Sequence, residues 1–149
     1  MAEHSPLDTL IGLAKDNTAA AARQLGQLHG VRNDAERQLA MLADYRQDYL
    51  RRLQQAMVSG MSASDCHNFQ RFIGTLDDAI RQQQAVLAQA TDQLVSGKQR
   101  WQEEKRKLNS FDALAQRAAD QRARNEARRE QRASDEYSAR LMRTGAGWH

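Results

Sequence analysis

The sequence predicts an all-α protein, a long two-helix antiparallel coiled-coil hairpin with a helical C-terminal overhang. Three observations support this fold class. Apolar residues repeat with a heptad period through most of the 149 residues. The single proline stands near the N-terminus, and only one Gly- and Ser-rich break interrupts the repeat. Aromatic residues make up 5% of the chain and charged residues 28%, which is typical of long exposed helices and not of a thick core.

The first helix is predicted to begin at Pro6. Ser5 can cap the free backbone N–H groups, proline suits the first helical position, and Asp8 places negative charge in the first turn. With Ile11 at position a, the heptad continues to about residue 58. Its a and d positions are mostly Leu, Ile and Ala, and a single arginine interrupts position a in two of the heptads.

A turn is predicted at about residues 59–64, where Gly60 can adopt the left-handed conformation that ends a helix. Ser62 or Ser64 can then cap the second helix, which is predicted over about residues 65–140 and is followed by a loose tail to residue 149. Its heptad begins with Cys66 at position a. Because the connection is short, the two helices must run antiparallel, and residues 1–149 are expected to form a single hairpin domain.

The turn also sets the pairing of the two helices. Folding the chain about Met61 places side by side those residues whose numbers sum to about 122. This pairing sets small residues opposite large ones, for example Ala21 opposite Trp101 and Gly97 opposite Leu25. Such complementarity holds two helix axes about 8–10 Å apart, and it therefore fixes the register.

Beyond Ala118 the apolar period ends, and the second helix is predicted to continue as an unpaired, partly frayed basic overhang. A solvated helix with charge pairs at i, i+4 is one explanation of this segment. Nucleic-acid binding is another, and it is disfavoured by the many acidic residues and the single aromatic residue, Tyr137. Six arginines of the overhang are candidates for a partner contact: Arg117, Arg122, Arg124, Arg128, Arg129 and Arg132.

The sequence gives no indication of an enzyme, and no cofactor is expected. The histidines at 4, 29, 67 and 149 lack the i, i+4 spacing of a helical metal site. Cys66 is the only cysteine, so an intrachain disulfide is excluded. We find no glycine-rich phosphate loop or nucleophile elbow, no signal-peptide pattern, and no apolar run of the ~18 residues that span a bilayer. A cytoplasmic location is therefore expected.

Two stripes contain more apolar and aromatic residues than a two-helix seam requires. In each stripe, residues at heptad position g join residues at position d, and the pairing rule places both stripes at a similar height on one side of the hairpin. We expect them to merge into one exposed surface for a partner. The alternative is that Tyr45 and Phe72 only widen a thin core. The stripe residues are Gln38, Leu42, Tyr45 and Tyr49 on the first helix and Phe72, Leu76, Ala79 and Gln83 on the second.

The two stripes resemble the FliJ family of flagellar type III export. The resemblance covers nearly the whole chain and includes the helix-turn-helix plan and the serine-rich turn. Its most specific motifs are Q-x-x-x-L-x-x-Y-x-x-x-Y from Gln38 to Tyr49 and N-F-Q-x-F-I-x-x-L-x-x-A-I from Asn68 to Ile80. Gln83 departs from the histidine that is often found at this position of the family.

The resemblance implies a non-enzymatic component of the flagellar export apparatus. Such a protein would bind the hexameric export ATPase in the manner of a central stalk, the cytoplasmic part of the export gate, and export chaperones. It would bind no nucleic acid and would associate with the cytoplasmic face of the inner membrane, at the flagellar base, through its partners only. The resemblance further implies that the arginine-rich end of the second helix faces the ATPase ring. Two alternatives remain, a general coiled-coil chaperone or scaffold and a basic nucleic-acid-binding helical protein.

Overall fold

The computed structural model describes residues 5–145 and consists of two helices, α1 at Pro6–Ser59 and α2 at Ala63–Gly145. The predicted all-α fold class, with two long helices packed against each other, is confirmed, and the described residues contain no strand. His4, His149 and the last part of the predicted tail lie outside the described residues. Residues 141–145, which were assigned to the tail, are helical instead. Arg143 lies in the last turn, where a positive charge favours the helix dipole.

The ends of the helices are formed by the expected capping residues. The backbone N–H of Asp8 donates to Ser5 Oγ at 3.2 Å, and the N–H of Ser5 donates to the Asp8 carboxylate at 3.4 Å. This reciprocal pair is a capping arrangement that satisfies two free donors. Of the two serines considered for the second cap, Ser62 is used, because its Oγ accepts from the N–H of Asp65 at 3.1 Å. Gly60 has a φ of 86°, a left-handed conformation that favours glycine.

The contacts between α1 and α2 fall into two units. The first unit contains residues 17–104, and in it every predicted a and d residue is partly or fully covered. Its buried apolar residues are Ala21, Ala35, Ile73, Leu76 and Ala90. The heptad pattern therefore identifies the seam of this unit along its whole length.

The second unit contains the start of α1, up to Asp16, and α2 from Lys105 onward. Ala14 is its buried apolar residue, and Ala115 is the last residue of α2 that is partly covered. Ala118, assigned to the seam by the heptad, is exposed. The reason is that α1 begins at Pro6, so the pairing rule leaves no helical residue opposite Ala118. All residues of α2 from 116 to 145 are exposed.

Contacts across the seam of the first unit agree with the predicted pairing to within about one helical turn. A Cβ atom on Gly97 would lie 2.5 Å from Leu28 Cδ1 and 3.8 Å from Leu25 Cδ1, so the missing side chain permits the close approach of α1. Arg100 donates to the side-chain oxygen of Gln24 at 3.5 Å. These contacts place the two helices in the register that the turn predicted.

Polar side chains at seam positions find partners that differ slightly from the predicted ones. Arg46, predicted to face Leu76, instead forms an ion pair with the adjacent Asp77, with Nε and Oδ1 2.5 Å apart. Gln83, predicted to face Leu39, donates to the backbone oxygen of Ala35 at 3.0 Å. The partner is one residue away from the predicted one for Arg46 and one helical turn away for Gln83, because a long polar side chain reaches an available partner and burying it without one is costly.

Candidate protein-binding surface

The g positions of both helices lie on the same side of the first unit, which we call the g edge. Two contacts establish this side. Gln24 and Arg100, both at g positions, are joined by the hydrogen bond described above. Phe72, at a g position of α2, stacks against Tyr49, at a d position of α1. Side chains at g positions on the two helices therefore form a common surface beside the seam.

The eight residues predicted to form the partner surface differ in exposure. Tyr45 is 57% exposed and Phe72 is 41% exposed. Leu76 is only 8% exposed, so it packs in the seam and contributes little to the surface. Gln38 is also exposed, and the remaining four residues are half-buried, namely Leu42, Tyr49, Ala79 and Gln83. The accessible part of the predicted surface thus lies at its g positions.

An aromatic cluster holds Phe72 in place. Its ring lies 4.2 Å from that of Tyr49, centroid to centroid, with an angle of 28° between the planes. Tyr49 also contacts Phe69 at 5.8 Å and 56°, and the guanidinium of Arg52 lies 5.6 Å from the Tyr49 ring centroid. Aromatic pairs at these separations are stabilising by about 0.5–1.5 kcal/mol. Contact with Tyr49 therefore positions Phe72 before any partner binds. Part of the Phe72 side chain remains accessible to solvent.

Gln83 has a role within the seam. Its amide nitrogen donates to the Ala35 carbonyl oxygen, and Ala35 is small enough to let the amide approach the backbone. The amide group is thus already engaged across the seam.

Two further exposed residues lie at g positions and were not among the eight predicted from the sequence. Val31 is one heptad before Gln38 on α1, and Val86 is one heptad after Ala79 on α2. Both side chains are about half exposed. Continuing each stripe by one heptad would have identified them, because g positions recur every seven residues.

The six candidate arginines of the overhang are all exposed. At 100° per residue, Arg117–Arg132 place these side chains within an arc of about 160°, and Asp120, Glu126 and Glu130 lie outside it. Between residues 117 and 143 there are eight arginines and five acidic residues, which leaves +3, equal to the formal net charge of the whole chain. The basic excess is therefore concentrated on residues 117–143. We call the side of residues 117–132 that presents the six arginines the arginine face.

No ion pair joins these arginines to carboxylates among residues 117–145. The i, i+4 charge pairs expected of a solvated helix are therefore not formed there. Arg124 instead donates to the Gln121 side-chain oxygen at 3.1 Å, and Arg122 Nε donates to the Ala118 carbonyl oxygen at 3.4 Å. An arginine bound to a neutral acceptor retains its full positive charge for an anionic partner.

Residues 5–145 contain neither a metal-binding cluster nor a membrane-spanning helix. No group of three or more His, Cys, Asp and Glu side chains is placed to hold a metal ion. Neither described helix contains a stretch that is long and apolar enough to cross a membrane. The surfaces described above therefore offer apolar contact, hydrogen bonds and positive charge.

Residues 3–147 match the family model described as "Flagellar FliJ protein". The chain is 36% identical over 140 residues to the flagellar FliJ protein of Escherichia coli K12, and it is 35% identical over 140 residues to that of Salmonella typhi. Each alignment covers 94% of this chain and 95% of the relative. The likeness therefore extends over both helices and is not confined to the aromatic stripes.

The exposure of the predicted surface residues indicates how much each contributes to the free energy of unfolding. Leu76→Ala should lower the free energy of unfolding by about 2–3 kcal/mol, because it removes a buried side chain from the seam. Tyr45→Ala should lower it by less than about 1 kcal/mol, because the side chain is mostly exposed. Chemical denaturation followed by circular dichroism at 222 nm measures both values. Equal losses for the two variants would place Tyr45 in the core.

Proposed function

The chain belongs to the flagellar FliJ protein family, a family of flagellar export proteins, and we propose that it acts in type III export purely by binding, without enzymatic activity. Its proposed partners are the hexameric export ATPase, the cytoplasmic part of the export gate, and export chaperones. It would reside in the cytoplasm and associate with the inner membrane at the flagellar base only through these partners.

The observation that carries this proposal is the exposure of Tyr45 and Phe72 beside a seam that is closed without them. The seam residues between them, Leu42 and Leu76, are already covered by the opposite helix. Exposed apolar and aromatic side chains that gather on one side of a protein often mark an interaction site. Aromatic side chains are also over-represented among the residues that dominate binding energy at protein interfaces.

We assign the g edge to the export gate. Phe72 is held by the Tyr49 ring and therefore loses little conformational freedom on binding. Tyr45 adds a hydroxyl that can donate or accept a hydrogen bond at the rim of an apolar contact. A rigid aromatic anchor with a polar neighbour is typical of the centre of a protein interface.

We assign the arginine face to the ATPase ring. Its arginines are exposed and form no ion pair with the carboxylates of residues 117–145. They are therefore available to pair with acidic residues on a partner. Binding to one arrangement of ring subunits more tightly than to others would shift the ring toward that arrangement. The helix can influence ATP hydrolysis in this way without taking part in the chemistry.

The gate assignment is tested with the double variant Tyr45→Ala/Phe72→Ala. Its affinity for the purified cytoplasmic domain of the export gate should fall by well over tenfold, because truncation of a central aromatic anchor commonly costs ~2 kcal/mol or more. Isothermal titration calorimetry measures this affinity. The control is Arg81→Ala, which removes an exposed side chain of α2 that pairs with Asp78 away from the g edge. Normal gate binding by a folded double variant would contradict the assignment.

The ATPase assignment is tested in the full chain with Arg124→Gln/Arg128→Gln. The affinity for the ATPase should fall on the order of tenfold and depend less on salt, since two charges facing acidic groups are lost. Arg140→Gln/Arg143→Gln is the matched control, because it makes the same change of charge on the same helix but C-terminal to residues 117–132. Co-sedimentation with the assembled ATPase at several salt concentrations provides the measurement. Equal effects of both variants would reject a specific role of the arginine face.

A further inference from the structure

The g edge contains an apolar stripe that extends beyond the eight residues predicted to form the partner surface. Val31 is 52% exposed and Val86 is 48% exposed. On α2 the stripe continues through Phe72, Ala79 and Val86, which follow one another every seven residues. On α1 the corresponding g positions are Tyr45, Gln38 and Val31. Apolar side chains thus occupy five of the six consecutive g positions.

The pairing of the helices brings these residues together along one line. By the pairing rule, Val86 faces the region of residue 36, between Gln38 and Val31 and nearer to Gln38. All six residues belong to the first unit, in which the g positions share one side. By the same rule Phe72–Val86 face residues 50–36, so the six residues together cover residues 31–50 of α1, and at ~1.5 Å per residue the stripe is about 29 Å long.

The stripe has a defined end. The next g positions beyond Val31 and Val86 are Gln24, Gln93 and Arg100, whose polar side chains line an open groove beside Gly97. By the pairing rule, α2 changes from Val86 to Gln93 opposite residues 36–29 of α1, and α1 changes from Val31 to Gln24, so the polar positions begin within about one heptad of each other on the two helices. The polar residues limit the length of the apolar surface, and therefore the length of the partner segment that can make apolar contact with it.

We propose that Val31 and Val86 belong to the partner surface of the g edge and that this surface seats one amphipathic helix of the export gate lengthwise. The inference rests on the proposed function, which assigns this edge to the gate. A helix with apolar side chains repeating every seven residues matches the spacing of the stripe.

The size of the stripe favours this occupant over a second copy of the chain. A strip about 29 Å long and about 10 Å wide, the diameter of one helix, covers only about 290 Å². A stable dimer requires about 800 Å² on each partner. A gate helix seated here belongs to a larger protein that adds contacts around the stripe, whereas two copies joined through the stripe alone do not reach the required area.

The test uses the full chain with Val86→Ser, Val31→Ser and the pair together, titrated against the purified cytoplasmic domain of the gate. Each single change should weaken binding about fivefold and the pair about twentyfold, as expected for the loss of apolar contact area. Val95→Ser is the matched control, because Val95 is 52% exposed on the same helix but lies at position b, away from the g edge. It should leave the affinity unchanged while altering the thermal melting as much as Val86→Ser does.

The outcomes separate this inference from the proposed function. If Tyr45→Ala/Phe72→Ala abolishes binding while the valine variants bind like the Val95→Ser control, the stripe extension is wrong and the gate assignment stands. If neither set of variants weakens binding, both are wrong. Loss of binding in both sets supports both.

The seating of a helix is tested by photo-cross-linking. A p-benzoylphenylalanine substituted for Phe72 or for Val86 should cross-link to the same helix of the gate domain, at positions about 14 residues apart, because the two sites are separated by two heptads. Mass spectrometry identifies the positions. Cross-links to two unconnected segments, or to a strand, would overturn the proposal of a lengthwise helix. Cross-links to a second copy of the chain in place of the gate would identify a homodimer and also overturn it.

Discussion

The register between the two helices is the constraint on which the functional surfaces depend. A pair of helices has no third element to fill voids, so close contact requires small residues at the positions that large ones meet. Gly97 provides the clearest case, since Leu28 occupies the space that a Cβ atom would take. Ala21, Ala35 and Ala90 are buried in the same seam. A shift by one heptad would replace these matches with clashes and voids.

Register in turn determines the composition of the g edge. Phe72 can rest on Tyr49 only when these two residues stand at the same height. Likewise, Val86 falls between Gln38 and Val31 only in the observed pairing. A set of side chains spread over both helices therefore becomes one surface because the seam is fixed. The functional side chains contribute little to the seam, and the seam residues contribute little to the surface.

Two polar contacts make this register more specific. One is on the side of the seam opposite the g edge, and the other is within the seam. The Arg46–Asp77 ion pair is half exposed, so its contribution to stability is modest. Its geometric effect is larger, because a shifted pairing would leave Arg46 against apolar residues with no carboxylate in reach. The bond from Gln83 to the Ala35 carbonyl acts similarly, since a shift by one heptad would replace Ala35 with Leu28 or Leu42, whose larger side chains hinder the approach of the amide to the backbone. Polar residues in coiled-coil seams are well known to select register at some cost in stability.

The sequence predicted the seam better than the surface, and the reason is physical. Heptad position determines which side of a helix faces its neighbour, and this was sufficient to identify every covered a and d residue of the first unit. Within the aromatic stripes, Leu76 is buried as its d position indicates, whereas the exposure of the g residues differs: Tyr45 is exposed, and Phe72 rests on the Tyr49 ring. The choice of Asp77 by Arg46 depends on side-chain reach, which heptad positions do not describe. Val31 and Val86 occupy the next g positions of the two stripes, so the heptad pattern contains them, and their exposure in the structure shows that they belong to the surface.

The central claim, that a single register creates the g edge, is tested most directly by disulfide cross-linking within the first unit. In a Cys66→Ala background, Ala35→Cys/Leu87→Cys pairs two residues that the register places opposite each other, and Ala35→Cys/Leu94→Cys pairs residues displaced by one heptad. Non-reducing electrophoresis after mild oxidation should show rapid intrachain cross-linking of the first pair and little of the second, because a disulfide requires Cα atoms within about 7 Å. Preferential cross-linking of the displaced pair would contradict the register and, with it, the g edge.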